Sequence, residues 1–484
     1  MFAPALRRWL PLALLTLLAL GLRTYELEHR PLHADEANQA VKTGELIEHG
    51  RYAFDPRDHH GPTLYYAVLP LAWLRGETTL AALSETTLRL VPALAGTGGV
   101  LFLFFLARPL GFGPAFLAAA LMAVAPACVY YSRYFIQESL LVSFTLAAML
   151  TTLRWWQSGR LGWALTAGVS LGLMQATKAS APVFVVCALA TALIFAEWRP
   201  VTPKLIRNLA LIFGTALGVA ALFYSSFGTH ATGLHDAVAT YTFTSARATG
   251  ESGHEKPWWY YATLFGWEKN GGLIFQQLAF STLALTGALL AFVTRQKFLR
   301  AAAVYTLLIF LALSLPPYKT PWHAVHLVPG LAVLAAGTLA LIPWRTLAVI
   351  ATASLLFLQL SQTRLVAFLR EADARNPYAY VHSSPDVLKI RALAKAALAA
   401  RPTGVIRIIS EEYWPIPWYL RTFPAGSVGY WSTPPADCDG ALVVVSAAQA
   451  SAVRARLRGN YQESFLGLRP GFLCVVFTPV QPAP

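Results

Sequence analysis

The chain has 484 residues, of which 56% are hydrophobic and only 13% charged, with a formal net charge of +14. This composition, with repeated apolar runs near the length that crosses a bilayer, excludes an ordinary soluble enzyme and indicates a polytopic membrane protein. The positive charge does not indicate nucleic-acid binding, because Lys and Arg fall at short turns between apolar runs and form no basic stripe.

The first apolar segment follows Arg7 and Arg8, as in a signal peptide, but no small-residue cleavage site precedes His33. It is therefore predicted to be retained as a first transmembrane helix. Ten further apolar runs give roughly eleven spans. These predicted spans are about residues 9–25, 86–107, 112–131, 137–155, 161–178, 181–197, 206–226, 272–294, 300–316, 323–342 and 345–361.

The distribution of cations predicts the orientation of these spans. With eleven spans, Arg and Lys at the short turns share one side, which the positive-inside rule makes cytoplasmic. They include Arg108, Arg154, Arg160, Lys204, Arg207, Arg295, Lys297, Arg300 and Arg345. The N-terminus is then cytoplasmic and the C-terminus lies outside, in a plasma (inner) membrane protein. Long outer loops are predicted at 26–85 and 227–272, and the partly apolar stretch Gly61–Leu83 is predicted to lie at the membrane interface.

From about residue 362 the chain becomes more charged and loses its long apolar runs. Short β-rich stretches, such as Gly404–Ser410 and Gly440–Ser446, alternate with Ala-rich helical segments. Residues 362–484 are therefore predicted to form a small extracytoplasmic α/β domain. Cys438 and Cys474 both fall in it, so a disulfide is possible in an oxidising compartment.

An acidic motif, His33-Ala34-Asp35-Glu36, follows the first span in the predicted first outer loop. A carboxylate at the outer mouth of a helix bundle can act as a base where a water-soluble acceptor and a membrane-bound donor meet. Asp35 is the predicted base, with Glu36 or Glu138 orienting the acceptor or holding nearby cations. The alternative is a solvated acidic helix start, because carboxylates favour helix N-termini.

Further polar residues fall at the predicted outer ends of the spans, where burial is costly unless they are paired or functional. They are His60, Arg133, Glu138, Lys178, His254, Tyr318, Lys319 and His323. By the predicted topology all converge on one side of the membrane. A carboxylate base with cations that stabilise a departing phosphate fits group transfer from a phosphate-linked lipid.

Lys178, Lys319, Arg133 and His60 are the candidate phosphate ligands. Each has a simpler alternative: Arg133 could pair with Glu138, and Lys178 could extend its ammonium to the lipid head groups. A metal site from His59, His60, His254, His323 and His326 is also conceivable. Their spacing is not typical of one, so no metal is predicted and a divalent ion stays an alternative.

Several segments of the membrane part match motifs of a known family. The matching segments are His33-Ala-Asp-Glu36, Tyr52-Ala-Phe-Asp-Pro56, His60-Gly-Pro-Thr-Leu-Tyr-Tyr66, Tyr131-Ser-Arg-Tyr-Phe-Ile-Gln-Glu138, Ala176-Thr-Lys178, His254-Glu-Lys-Pro-Trp-Trp-Tyr-Tyr261 and Tyr318-Lys-Thr-Pro-Trp-His323. Together they resemble the integral-membrane glycosyltransferases of the C-type (GT-C) fold. Within that fold the pattern resembles the branch of protein O-mannosyltransferases and the lipid A aminoarabinose transferase, and most resembles the prokaryotic flippase-activity-associated subfamily.

The resemblance implies a transmembrane glycosyltransferase domain over residues 1–361 and an inverting sugar transfer from a polyprenyl-phosphate donor. The acceptor would be an extracytoplasmic protein, glycan or lipid, and Asp35 would be the base. Glu138 matches the second acidic position of the family. Relatives carry Lys-Pro-Pro where this chain has His60-Gly61-Pro62, so the resemblance implies that Lys178 or Lys319 contacts the lipid phosphate here.

Two other classes of function are compatible with charges in a helix bundle. A lipid-linked sugar flippase or transporter would place polar groups near the bilayer midplane in broken, repeated helices. A non-catalytic partner of a glycosylation complex would depend on residues 362–484 and not on Asp35. The position of the charges at the predicted outer ends favours the enzyme.

Overall fold

The structure is a computed structural model that describes residues 3–57, 60–195, 197, 200–249 and 253–480. Up to about residue 369 the described chain is almost entirely helical. Its helices are, in chain order, α1 (Ala3–Thr24), α2 (Ala34–His49), α3 (Thr63–Leu74), α4 (Glu85–Leu106), α5 (Phe112–Val124), α6 (Pro126–Ser132), α7 (Glu138–Ser158), α8 (Leu161–Gln175), α9 (Ala181–Phe195), α10 (Pro203–Tyr224), α11 (Thr232–Thr249), α12 (Tyr260–Leu264), α13 (Leu278–Val293), α14 (Lys297–Ser314), α15 (Val328–Ala340) and α16 (Arg345–Arg364).

A helix lies at each of the eleven predicted span positions, although not all of these helices are long. By length and composition, four described helices are able to cross a membrane: α4, α10, α14 and the continuous stretch Arg345–Leu369. A fifth is added if the bent pair α5 and α6 is one span. The apolar helix α3, with 12 residues, is shorter than the about 20 residues that a span needs. The total of eleven spans and their orientation therefore stay predictions.

Large apolar side chains are exposed around the bundle. Val186 is 63% exposed, Phe213 72%, Leu289 72% and Val349 67%, and each lies on a different helix. Soluble monomers rarely expose apolar surface of this extent. The exposed residues fit a bundle whose outer faces meet lipid.

The third predicted span is broken into two helices, α5 and α6, which meet at an angle of 57°. Pro126 begins α6 and has no N–H to donate, so the last carbonyls of α5 need other partners. The buried guanidinium of Arg23 donates to Ala123 O at 3.0 Å and Met122 O at 3.4 Å. Thr363 Oγ1 donates to Val124 O at 2.6 Å. These two side chains therefore supply hydrogen bonds to the carbonyl groups at the break, inside the bundle.

The C-terminal region contains a five-stranded sheet. The first two strands of the chain, β1 (Trp267–Asn270) and β2 (Leu273–Gln276), form a separate hairpin before α13. The elements of the C-terminal region are α17 (Lys389–Ala400), β3 (Ile406–Ile409), α18 (Ile416–Leu420), β4 (Val428–Trp431), β5 (Leu442–Ser446), α19 (Ala450–Arg454), β6 (Tyr461–Arg469) and β7 (Phe472–Pro479). The strand order is β4-β3-β5-β7-β6. Strand β3 pairs parallel with β4 and β5, whereas β7 pairs antiparallel with β5 and β6.

Cys438 and Cys474 do not form the disulfide that the sequence allowed. Both thiols are free and buried. Cys474 packs in the apolar cluster on one face of the sheet, with Ile406 and Val444, whereas Cys438 packs with Ile409 and other residues of a separate cluster. Because the sheet lies between the two side chains, they cannot be bridged without moving the backbone.

Candidate active site

The acidic motif lies at the start of helix α2. His33 is the N-cap residue, and its Nδ1 accepts a hydrogen bond from the backbone N–H of Asp35 at 3.1 Å. The Glu36 carboxylate accepts from the His33 N–H at 3.0 Å, which completes a capping box. The Asp35 side chain is 53% exposed, and its Oδ2 lies 3.8 Å from His33 Nδ1. The cap therefore fixes the backbone of Asp35 and leaves its carboxylate accessible.

Glu36, in contrast, is completely buried. Arg89 binds its carboxylate through two hydrogen bonds, Nε to Oε1 at 2.8 Å and the second guanidinium nitrogen to Oε2 at 2.9 Å. Arg30 donates to both oxygens at 3.3 Å, and the backbone N–H of Phe135 donates to Oε1 at 2.8 Å. Of the two roles expected for Glu36, these contacts fit the holding of cations.

The two arginines extend this connection along the chain. Arg89, in the first turns of α4, donates to Leu27 O at 2.6 Å and to Arg30 O at 2.8 Å. Arg30 donates to the carbonyl of Arg133 at 2.8 Å, and its guanidinium lies 4.2 Å from the ring centre of Tyr134. The carboxylate of Glu36 thus connects the first loop, α4 and the turn between α6 and α7.

A second charged group lies around Lys178. Its ammonium forms a salt bridge with Glu138, and its Nζ lies 3.4 Å from His323 Nε2. His323 Nε2 is 3.8 Å from Glu138 Oε1, and its Nδ1 is 3.2 Å from the hydroxyl of Tyr261. Lys178 is 7% exposed and Glu138 1%. The sequence placed these three predicted residues on one side of the bundle, and the structure brings them into contact.

The first loop packs directly against the Lys178 turn. Thr63 N donates to Ala176 O at 3.2 Å, and the hydroxyls of Thr63 and Thr177 lie 2.7 Å apart. A Cβ added to Gly61 would lie 2.2 Å from Ala176 O, so only glycine permits this approach. His60, the neighbour of Gly61, interacts electrostatically with His323. The His60-Gly-Pro segment is therefore part of the Lys178 group.

Trp322 connects the acidic motif with the Lys178 group. Its ring centre lies 6.4 Å from that of His33 and 6.5 Å from that of His323. It also lies 6.0 Å from the ring centre of Tyr380. The Asp35 cap and the Lys178 ammonium are thus separated by a short row of rings, and the two groups form one candidate site.

Lys319 and His254 lie at the edge of this site and hold two loops together. The Lys319 ammonium donates to the carbonyls of Lys256, at 3.1 Å, and Pro316, while the Lys319 N–H donates to His254 O at 3.1 Å. His254 Nδ1 lies 2.6 Å from the hydroxyl of Tyr380, and the Tyr318 ring centre is 5.3 Å from that of His254. Burial lowers the pKa of Lys319. These contacts fit a structural role for Lys319 better than the predicted phosphate contact.

Arg133 also lies apart from the Lys178 group. Its guanidinium donates to the carbonyls of Tyr25 and Glu26 and lies 4.5 Å from the ring centre of Phe368. Burial lowers the pKa of Arg133 to about 10, so it is still a cation at neutral pH. Its own carbonyl accepts from Arg30, which also binds Glu36, and its guanidinium holds the start of the first loop.

Four residues near the site were not identified from the sequence. Arg30, Arg89 and His382 contact residues of the acidic motif, and Tyr380 contacts His254 and Trp322. Only Arg89 carries a local signal, because a cation inside an otherwise apolar span is normally paired or functional. In the part of the chain that is described, no three His, Cys, Asp or Glu side chains are placed to hold a metal. His59, considered for such a site, lies outside the described residues.

A family model matches the middle of the bundle. Residues 67–225 match the model described as dolichyl-phosphate-mannose-protein mannosyltransferase, a segment that includes Glu138 and Lys178 but not Asp35. No curated protein matches the sequence. The family match covers about a third of the chain and agrees with the motifs seen in the sequence.

Solved structures resemble nearly the whole chain. ArnT from Cupriavidus metallidurans, bound to undecaprenyl phosphate, matches with a TM-score of 0.66 and 15% identity over 96% of this chain and 97% of that one. The archaeal oligosaccharyltransferase AglB from Archaeoglobus fulgidus, in complex with an inhibitory peptide and a dolichol-phosphate, matches with a TM-score of 0.57 and 13% identity. The match covers 100% of this chain and 75% of that one. The arabinofuranosyltransferase AftD from Mycobacteria matches with a TM-score of 0.54 and 15% identity, over 98% of this chain and 40% of that one.

These likenesses define the class of fold. The chain has the C-type fold of integral-membrane glycosyltransferases, and the resemblance stated from the sequence is confirmed at that level. The flippase-activity-associated subfamily stays a prediction, as do the domain boundaries and the roles of the site residues.

Proposed function

We propose that this protein is a membrane glycosyltransferase that moves a sugar from a polyprenyl-phosphate donor to an acceptor outside the cytoplasm. The observation that carries the proposal is Asp35: an accessible carboxylate on a backbone fixed by a helix cap, connected through Trp322 to the buried group that contains the Lys178 ammonium. Two proteins of similar fold were solved with undecaprenyl phosphate and with dolichol-phosphate, which supports a donor of this class.

In the proposed reaction Asp35 takes the proton from an acceptor hydroxyl as the acceptor oxygen attacks the anomeric carbon of the donor sugar. The bond between that carbon and the phosphate oxygen breaks, and the phosphate leaves with the bonding electrons. Attack opposite to the leaving phosphate inverts the configuration at the anomeric carbon. The proposed acceptor is a hydroxyl group of a protein, glycan or lipid, each of which offers a suitable nucleophile.

Lys178 is the proposed cation for the departing phosphate. An ammonium has three N–H donors, and Glu138 and His323 are its hydrogen-bond partners among the described residues. One donor is therefore free for a phosphate oxygen, and Glu138 keeps the ammonium in place. The first loop packs against the Lys178 turn through Gly61 and Thr63, so a lipid phosphate bound at Lys178 would meet this loop.

The proposal is tested by following both halves of a labelled donor. Purified protein in proteoliposomes is given a panel of polyprenyl-phosphate sugars with soluble hydroxyl acceptors, with and without EDTA. A transferase yields free polyprenyl phosphate and a glycosylated product whose anomeric configuration is opposite to that of the donor. Movement of intact donor across the bilayer, with no cleavage, would instead establish a flippase. Loss of transfer in EDTA would show that the charge on the phosphate is balanced by a metal.

The Lys178 and Glu138 pair provides a prediction that separates binding from stability. Lys178→Gln should weaken donor binding about 10- to 100-fold, because a charge-assisted hydrogen bond to phosphate is lost, and should destabilise the fold by leaving Glu138 buried without its cation. The double variant Lys178→Gln/Glu138→Gln should recover thermal stability but not donor affinity. Affinity is measured by titration with a fluorescent polyprenyl phosphate.

Lys42→Gln is the matched control, since Lys42 lies partly exposed on α2 and pairs only with Glu45, at 3.2 Å, among the described residues. It should leave donor affinity and melting temperature unchanged. Recovery of donor affinity in the double variant would mean that Lys178 serves the fold and not the phosphate.

A further inference from the structure

The C-terminal region makes a buried hydrogen bond to the backbone directly before the acidic motif. The hydroxyl of Tyr419, in α18, accepts from the backbone N–H of Leu32 at 2.8 Å. Leu32 is completely buried and Tyr419 is 7% exposed. Leu32 precedes the cap residue His33, so this bond fixes the point from which the chain enters helix α2 and presents Asp35.

Neighbouring residues of α18 hold a second part of the same loop. Trp418 Nε1 donates to Glu85 Oε1 at 3.1 Å, and Arg421 donates to Leu83 O at 2.7 Å and to Leu80 O at 3.2 Å. The Arg421 guanidinium lies 3.5 Å from the ring centre of Trp418. The chain before α4 is thus attached to α18 and its C-cap residue by the side chains of Trp418 and Arg421, which pack against each other.

The loop and the C-terminal region also share one apolar core. Its buried members come from both parts, and they include Leu32, Ala37, Leu64, Leu83 and Leu88 of the first loop and α4 with Ile390, Ile408, Trp418 and Val444 of the C-terminal region. Close-packed residues of one core transmit strain to one another. The C-terminal region is therefore joined to the part of the chain that carries Asp35, and is not an independent appendage.

The segment between α16 and α17 contacts the motif and the helix α6 near it. Its carbonyls at Glu371 and Tyr378 accept from the hydroxyls of Tyr130, at 2.7 Å, and Tyr131, at 2.9 Å. Further along, the ring centre of His382 lies 5.9 Å from that of His33. The chain at the acidic motif therefore has contacts with this segment, through His33, and with α18, through Leu32.

From these contacts we propose that Tyr419 is a positioning residue for sugar transfer: its hydroxyl holds the Leu32 backbone so that the α2 cap presents the Asp35 carboxylate to the acceptor. This inference rests on the proposed function. It gives the C-terminal region a role inside the reaction, in place of recruitment of another protein. A displacement of about 1 Å at a reacting group is enough to cost a large factor in rate.

The test compares Tyr419→Phe with Tyr430→Phe in the full-length protein. Both variants lose one hydroxyl from the same region, but among the described residues the Tyr430 hydroxyl makes no hydrogen bond to the first loop, and its ring packs against Tyr413, at 5.2 Å between ring centres. Tyr419→Phe should speed amide hydrogen exchange in the peptide that contains Leu32 and lower kcat about tenfold or more, with the KM for donor unchanged. Tyr430→Phe should do neither.

A third variant, Trp418→Phe, separates positioning from simple attachment, because it removes the bond to Glu85 but not the one to Leu32. Its kcat should exceed that of Tyr419→Phe. The inference would be overturned if kcat fell equally in these two variants, or only in proportion to their loss of melting temperature. Unchanged amide exchange at Leu32 in Tyr419→Phe would also overturn it. If the wild-type protein transfers no sugar while the exchange difference persists, the proposed function fails but the attachment of the loop by Tyr419 stands.

Discussion

Asp35→Asn should lower the rate of sugar transfer by about 10²- to 10⁴-fold, the usual contribution of a general base. The substitution keeps the size of the side chain and leaves the His33 cap intact, because the cap bond comes from the backbone N–H of residue 35. The amide cannot take the acceptor proton. Donor affinity should stay at the wild-type value, since the contacts proposed for the phosphate lie in the Lys178 group.

Asp55→Asn is the matched control for this prediction. Asp55 is an exposed residue of the same loop, and its carboxylate accepts from the backbone N–H of Arg57 at 2.9 Å, a bond that the asparagine oxygen can also accept. Initial rates are measured for both variants at saturating donor. Full activity of Asp35→Asn would show that another group is the base, and Glu138 would be the next residue to replace.

The helices of the bundle could be predicted from apolar runs because a span depends mainly on local composition. The break between α5 and α6 was not predicted, although Pro126 marks it in the sequence. The break is stable because Arg23, about 100 positions earlier in the chain, donates to the carbonyls that the proline leaves free. Partners so distant in sequence cannot be read from the pattern around residue 126.

The candidate site was predictable only in part for the same reason. Polar residues at the ends of apolar runs were expected to converge, and Glu138, Lys178 and His323 do lie together. Lys319 and Arg133 belong to the same pattern, yet their N–H groups donate to backbone carbonyls outside the Lys178 group. A sequence shows that a cation is present but not which groups the fold places around it.

Glu36→Gln should destabilise the protein by about 3–5 kcal/mol, the usual effect of breaking a buried ion pair from one side. The variant leaves Arg89 and Arg30 buried with one neutral amide where they now share a carboxylate. The rate of sugar transfer should fall as well, because Asp35 directly precedes Glu36 in the same helix turn. Glu45→Gln is the control: Glu45 is a partly exposed residue of α2 paired with Lys42, so loss of its charge should cost less than about 1 kcal/mol.

The pH dependence of stability tests whether the charge on Glu36 causes the loss of stability expected for Glu36→Gln. Burial alone would raise the pKa of Glu36, but the guanidinium groups of Arg89 and Arg30 and their hydrogen bonds lower it well below the ordinary value of 4.5. A carboxylate with a lowered pKa contributes its full stability above that ordinary value and loses it as the pH falls toward the folded-state pKa. The difference in melting temperature between wild type and Glu36→Gln should therefore be constant above about pH 5 and shrink below about pH 4. A difference that does not change with pH would mean that the shape of the side chain, rather than its charge, holds the two arginines.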